Sequence, residues 1–415
     1  MTHMTGTKQT EATAIDFTAA MMQATLASKN IQAIVAPCWD GPQVESYEVA
    51  LALGVKPERI EGLAGALAMA AGADTCRVAR TRGKLLIEVP KQPEARKTLP
   101  ARRLRAVKSL TPWHVPLGLG TMGQTVWLDL ADDRTCHVAM GGTTRSGKTN
   151  LLHWTLYRLL TQNEPRELQL VLCDPKGFEL EPFALSRHLV HPPVCNTGEI
   201  VKVLVWLQQT MLTRARSGVN CPRILAVIDE VKELVDQAPA VKSILASSAQ
   251  IGAGVGVHLA VTTQQPGSKA MGDALPNFPC RILGRITSKT LSYGAAGRAR
   301  SQVELLLGRG DMLLLGEGGA STRFQAPLVT RQELAGIPQW QSRAQIPRLD
   351  LPTQIDLSKY AVDVDPRGGW NRKDVDLDAV RLAVGLGASP SDLHHELGIN
   401  FERAQRLVEQ FGGEL

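Results

Sequence analysis

The 415-residue sequence contains no C-x-x-C pair, and its seven cysteines (Cys38, Cys76, Cys136, Cys173, Cys195, Cys221, Cys280) are odd in number and scattered. That excludes a disulfide framework and a zinc site as organising devices, and a reducing cytoplasm is the expected home. The polar opening MTHMTGTKQTEAT lacks the apolar segment of an export signal, so residues 1–13 read as a flexible leader. From Ser243 to Ser268 there is no Asp, Glu, Lys or Arg. Ser, Gln, Gly and His interrupt the stretch too often for a segment that must satisfy itself in lipid. It reads as a helix end, a Gly-rich turn and a buried strand, and no membrane association is expected. Internal repeats and low-complexity tracts are absent as well. Strong charge bias is also missing, since 46 Lys and Arg face 40 Asp and Glu for a net charge of +6, a mild excess that fits a polyanionic partner without requiring one.

What is present is a globular composition, 44% apolar and 21% charged, long enough for two or three domains. Residues 14–100 mix helical spacing (Phe17, Met21, Met22, Leu26) with short strand-like runs such as Leu85-Leu86-Ile87-Glu88-Val89, and this predicts a small α+β domain. Residues 101–346 carry apolar runs separated by helical segments: Cys136–Met140, Leu168–Cys173, Ile224–Ile228, Val257–Thr262, Arg281–Ile286 and Asp311–Leu315. Continuous apolar runs alternating with helices predict an α/β domain whose mostly parallel sheet is buried on both faces. Residues 347–374 are rich in Pro, Asp and Gly and read as a linker. In residues 375–415, helical patterns at Leu377–Val384, Ser391–Leu397 and Phe401–Phe411, with Gly398-Ile399-Asn400 before the last, give a helix-turn-helix layout.

The chemistry concentrates after the first apolar run of residues 101–346. Gly142-Thr143-Thr144-Arg145-Ser146-Gly147-Lys148-Thr149, followed by Asn150, fits G-x-x-x-x-G-K-[ST] between a strand and a helix. Glycines let the backbone wrap phosphates, so that successive N–H groups and a helix N-terminus face the anion. Lys148 is expected to reach the β and γ phosphates of ATP, and Thr149 to hold Mg²⁺. Downstream, Ile224-Leu225-Ala226-Val227-Ile228 ends in Asp229-Glu230. An acid at the carboxyl end of a neighbouring strand suits magnesium, through water, and the next acid suits the polarisation of a lytic water. Asp229 takes the first role and Glu230 the second, which favours hydrolysis over binding alone. Thr262-Thr263-Gln264-Gln265-Pro266 closes the following strand, where an amide at Gln264 could sense the γ-phosphate.

With these residues the chain resembles the FtsK/SpoIIIE family of DNA translocases along nearly its whole length. The similarity continues through Asp174-Pro175-Lys176 with Glu179-Leu180, His188-Leu189, Trp206, Gly256-Val257-His258-Leu259, Pro266, Leu306-Leu307-Gly308 and Gly310-Asp311-Met312-Leu313. Gly41-Pro42, Tyr47-Glu48, Gly54-Val55-Lys56 and Ile87-Glu88-Val89-Pro90 resemble the small domain that precedes the family's motor. The tail, from Ala388-Ser389 through Gly398-Ile399 to Arg403-Ala404, resembles its winged-helix DNA-reading domain, with the wing truncated. The resemblance implies a RecA-like motor, assembled as a homo-hexamer, that threads double-stranded DNA and couples movement to ATP hydrolysis with Gln264 as γ-phosphate sensor. It also allows a site-specific recombinase as partner, and a soluble form without the family's membrane anchor is the expectation.

Three departures qualify the expectation. Arg145 stands where the family usually has Gly, Ala253 aligns with its trans-acting arginine, and Tyr293 replaces the Arg of its Asp-Ser-Arg motif. An arginine from a neighbour is worth factors of about a thousand or more in rate. Arg145, Arg298 or Arg300 is therefore the expected substitute, and slow turnover is the other outcome. From Asp374 to Leu415 three Arg face eight acids with no Lys, a net of −5, which is poor for phosphate attraction. If that unit reads bases, Asn400, Arg403 and Arg406 are its contacts; a three-helix protein contact is the competing reading. The run Arg102, Arg103, Arg105, Lys108 suits either a DNA backbone or a solvated surface. Two other functions stay open: a scaffold that binds ATP and DNA without stepping, and a coupling ATPase of secretion or conjugation that moves another polymer.

Overall fold

The computed structural model describes residues 16–132, 134–266, 272–297, 301–316 and 321–355, together with 405, 406, 408 and 409. The small domain is a four-stranded antiparallel sheet built from β1 (Ala33–Asp40), β2 (Val44–Leu51), β3 (Arg77–Thr81) and β4 (Lys84–Pro90) in the order β1-β2-β4-β3. The helix Phe17–Ser28 packs on it, capped by Asp16, whose side chain accepts from the Ala19 N–H at 2.9 Å. Its buried face is Ala19, Met22 and Leu26, whereas Phe17 and Met21 are exposed. The spacing therefore marks the helix correctly and assigns half of its inward face wrongly. The observed inward stripe runs at i, i+3, i+7 through Ala19, Met22 and Leu26, and shares only Met22 and Leu26 with the apolar spacing read from sequence.

A short strand β5 (Leu99–Pro100) leads into the larger domain, which holds β6 (His114–Gly120), β7 (Thr125–Asp129), β8 (Val138–Gly141), β9 (Leu168–Cys173), β10 (Arg223–Ile228), β11 (Val257–Thr263), β12 (Cys280–Leu283), β13 (Asp311–Leu315), β14 (Ser321–Gln325) and β15 (Pro327–Leu328). Nine of these form one sheet in the order β7-β6-β14-β13-β12-β8-β11-β10-β9. The stretch β12-β8-β11-β10-β9 is parallel, and every pairing from β12 outward to β7 is antiparallel. The expectation of a mostly parallel sheet is thus corrected to a mixed one. The parallel half was visible as apolar runs. The antiparallel half is interrupted by Pro116, Gly118 and Arg323, and β6 bulges between Pro116 and Gly118.

Burial on both faces explains the apolar runs. On β10, Leu225 and Val227 join the core that contains Trp154 and Leu156, while Ile224, Ala226 and Ile228 face a second core with Ile200, Leu204 and Leu207. Period-2 geometry sends alternate residues to opposite faces, so a strand covered twice has no polar side. The charge-free stretch resolves into the helix Ala240–Ile251, a turn at residues 253–255 and β11. Among the described residues no helix is long and apolar enough to cross a membrane. Of the tail residues singled out, Asn400 and Arg403 lie outside the described residues, and Arg406 is helical and exposed.

Candidate nucleotide site

Because β8 lies between β11 and β12, the carboxyl ends of the parallel strands converge on the loop that follows Gly141. The loop turns at Gly142 and closes with the Ser146 N–H donating to Thr143 O at 3.1 Å, and the Thr143 N–H and hydroxyl both donate to Arg285 O at 3.0 Å. Gly147, at φ +100°, opens the helix Lys148–Gln162, and no side chain caps it. A Cβ at Gly147 would sit 2.5 Å from the Gly310 nitrogen, so both the conformation and the close approach require glycine. The uncapped N-terminus leaves donors and the positive end of the helix dipole facing the loop, the arrangement that binds phosphate.

Lys148 is 9% exposed, with Nζ 3.7 Å from Glu230 Oε2. Burial pushes its ammonium below the ordinary lysine range, and the carboxylates of Glu230 and Asp229 pull it back. Glu230 adopts left-handed backbone at φ +45° and is 7% exposed. Its Oε1 accepts from the Thr263 hydroxyl at 3.2 Å and the Gln264 N–H at 3.1 Å. Lys176 Nζ approaches Oε2 to 3.5 Å. Asp229 is buried, and one of its oxygens accepts from the Thr262 hydroxyl.

The loop after β9 completes the site. Asp174 Oδ1 accepts from the N–H groups of Lys176 and Gly177 at 3.0 Å, and Oδ2 accepts from Leu180 N–H at 3.0 Å. This wraps the turn so that Lys176 faces Glu230 while Glu179 accepts from the Thr149 hydroxyl. Burial and the neighbouring Asp229 charge raise the Glu179 carboxyl above the usual range. Among the described residues no group of three or more His, Cys, Asp or Glu side chains is placed to hold a metal. The oxygens at hand are the Thr149 hydroxyl and the carboxylates of Asp229 and Glu179. Such a sparse, hard donor set fits Mg²⁺, which keeps several waters and takes one or two carboxylates plus substrate phosphates.

The structure therefore gathers Gly142, Thr143, Thr144, Arg145, Ser146, Gly147, Lys148, Thr149, Asp229, Glu230 and Gln264 at one end of the sheet. The Thr144 hydroxyl donates to Gln264 Oε1 at 3.3 Å, which links the phosphate loop to the end of β11. The side chain of Asn150 goes elsewhere, because its amide donates to Pro327 O at 2.5 Å and its Oδ1 accepts from Val329 N–H at 3.0 Å. It fastens β15 to the helix, and only its backbone remains for the phosphates. Arg145 is exposed at φ +64°. Tyr293 is 59% exposed on the helix Lys289–Ala296, and Ala253 lies in the turn before β11. Arg298 and Arg300 fall outside the described residues. In the basic run all four side chains are exposed, and Arg105 pairs with Glu333 at 3.0 Å. The roles of Lys176, Glu179, Thr262 and Thr263 were not assigned from sequence. An Asp-Pro-Lys turn directly after a parallel strand was the one available signal for the first two.

The model of the FtsK/SpoIIIE family matches residues 103–220, and that of the FtsK alpha domain matches residues 1–91. The DNA translocase FtsK of Mycobacterium leprae is 30% identical over 420 residues, 91% of this chain and 49% of that protein. The DNA translocase SftA of Bacillus subtilis is 30% identical over 428 residues, 95% of this chain and 44% of that protein. The chain thus spans about half the length of the curated relatives it matches. Among solved structures, the pCW3 conjugation coupling protein TcpA, in its monomer form with ATPγS, superposes with a TM-score of 0.51 at 18% identity, covering 77% of this chain and 97% of its own. EssC (ATPases 2 and 3) from Geobacillus thermodenitrificans superposes with a TM-score of 0.51 at 16% identity, covering 66% of this chain and 57% of its own. Those two likenesses establish the fold, and the two family models, with 30% identity along 91–95% of this chain, establish the lineage: this chain belongs to the FtsK/SpoIIIE family.

Proposed function

We propose that the chain is a Mg²⁺-dependent ATPase that moves along double-stranded DNA as a homo-hexameric ring. The observation that carries the reading is the placement of Glu230. Its carboxylate is held by Thr263 and the Gln264 N–H beside Lys148, at the carboxyl end of the strand next to β11. In that position Glu230 accepts a proton from water attacking the γ-phosphate, while Lys148 and the N-terminus of its helix neutralise charge that develops on the phosphate oxygens. Thr149, Asp229 and Glu179 would hold magnesium, which supplies charge neutralisation at the β and γ phosphates. Gln264 is tied to Thr144 on the phosphate loop and to Glu230 through its own N–H, contacts that support a role in registering the γ-phosphate.

The same reading divides the chain into the small domain (14–100), the motor (101–346), a linker (347–374) and a terminal unit (375–415), with Asn400, Arg403 and Arg406 as the DNA contacts of the last. A cytoplasmic site of action, away from the membrane, and a recombinase partner belong to the proposal as well. The missing arginines at Ala253 and Tyr293 support one competitor, a ring that binds ATP and DNA without stepping. ATPase activity measured with and without duplex DNA tests the main reading. Stimulation by duplex DNA, lost in Lys148→Ala and Glu230→Gln, is expected; activity indifferent to both substitutions contradicts the site, and stimulation by a protein polymer alone contradicts the substrate.

A further inference from the structure

Where the small domain meets the motor, four charged side chains form one buried chain of hydrogen bonds. Arg77 of β3 donates from Nη1 to both oxygens of Glu88 on β4, at 3.1 and 3.0 Å. Arg323 of β14 donates from Nη1 to Glu88 Oε2 at 3.0 Å, and from Nε and Nη2 to the two oxygens of Asp311 on β13 at 2.9 and 2.7 Å. Exposure is 4% for Arg77, 0% for Glu88, 2% for Asp311 and 2% for Arg323, so water does not compete. Each domain brings one cation and one anion, and the charges cancel.

The chain does not end at Asp311, whose Oδ2 also accepts from the Leu307 N–H at 2.7 Å. Residues 308–310 turn back through three consecutive left-handed conformations, at φ +79°, +51° and +89°. Their amides then reach the phosphate loop: Arg309 N–H donates to Arg145 O at 3.0 Å, and Gly310 N–H to Ser146 O at 2.7 Å. A second link starts in the small domain too, since Gln43 Nε2 donates to Arg309 O at 3.2 Å. Two separate routes from the small domain therefore converge on the turn that clamps the phosphate loop from outside.

We infer that the small domain is a working part of the nucleotide site: Gln43, Glu88, Arg323 and Asp311 are positioning residues that hold the 307–310 turn and, through it, the conformation of the phosphate loop. The inference rests on the nucleotide reading above. None of these side chains touches the phosphates, so their effect falls on affinity rather than on the chemical step. By linkage, occupancy of the loop also changes how firmly the small domain is held.

The test is titration of the full chain with a fluorescent ATP analogue, alongside steady-state ATPase, for Gln43→Ala and Glu88→Gln. The expected result is an analogue Kd and an ATP KM at least fivefold higher, with kcat within twofold. A purely structural role would lower the melting temperature and the active fraction without moving Kd. Should Glu88→Gln fail to fold, Gln43→Ala decides, because it removes one hydrogen bond and no charge. Kd within twofold of the unsubstituted chain in folded Gln43→Ala overturns the inference while leaving the nucleotide site intact. An unsubstituted chain that binds no nucleotide overturns both.

Discussion

Glu230 is the residue on which the proposed chemistry turns, and its backbone shows what the position costs. Six non-glycine residues among those described have left-handed backbone, and three of them, Arg145, Glu230 and Arg309, border the phosphate loop. Such conformations cost about 1–3 kcal/mol each and persist where surrounding structure over-determines them, commonly at functional sites. Replacing Glu230 with Gln keeps shape and hydrogen bonding but removes the base. ATP turnover is expected to fall by roughly 10²-fold or more while analogue binding stays within a few-fold. Lys148→Ala is expected to lose binding itself, and equal losses of kcat alone in both variants would contradict this division of roles. Two buried histidines give a separate, site-independent prediction. Burial, followed by the charge of Arg223, pushes His258 down to about 3, and burial pushes His137 down to about 4. Arg223 Nη1 donates to His258 Nε2 at 2.9 Å, so that nitrogen is an unprotonated acceptor, and Nδ1–H donates to Cys136 O at 3.1 Å. The folded values lie below the ordinary 6.5, so the unfolded chain takes up protons first and folding stability falls as pH drops below about 6.5. Melting temperatures between pH 7.5 and 4.5 check this, and His137→Asn, if folded, is expected to flatten the slope.

At the level of elements, the helix that begins at Lys148 depends on glycine at its threshold. Gly147→Ala is expected to abolish measurable analogue binding and to lower stability by about 1–3 kcal/mol, from left-handed strain and from contact with Gly310. Calorimetry and titration check the two effects, and an unchanged Kd would show that the helix threshold tolerates a different path. The parallel half of the sheet was legible because strands covered on both faces must be apolar throughout: Leu168–Cys173 was delimited to the residue. In the antiparallel half Asp311–Leu315 was delimited as well, but β6, β7 and β14 were not. β6 carries Pro116 and a bulge, and β14 buries Arg323, which reads as a surface residue until Glu88 and Asp311 are brought to it by the fold. In the candidate site, the convergence of Lys148, Thr149, Asp229 and Glu230 was legible because it follows from spacing within one loop or one strand. Lys176 and Glu179 were harder to read because their roles arise only when Asp174 folds its own turn. The side-chain partners of Asn150 were not legible for the opposite reason, since adjacency in sequence to the phosphate loop says nothing about where an amide finds its partners.

For the whole molecule, the buried chain from Arg77 to Asp311 makes the interface between small domain and motor a single neutral unit. Removing one member strands the remainder, a change that costs about 3–5 kcal/mol where the group is fully buried. Arg323→Met is therefore expected to lower the melting temperature of the entire chain cooperatively, and a transition confined to a separate, earlier melting step would contradict a shared interface. The proposed assembly on DNA belongs to this scale too, because a ring that steps would have to convert hydrolysis at Glu230 into displacement. Triplex displacement tests that conversion most directly: a third strand annealed to duplex DNA is released only by a protein that travels along the duplex. The account predicts release that requires hydrolysable ATP and disappears in Glu230→Gln. Vigorous DNA-stimulated ATP hydrolysis with the third strand left in place would contradict it.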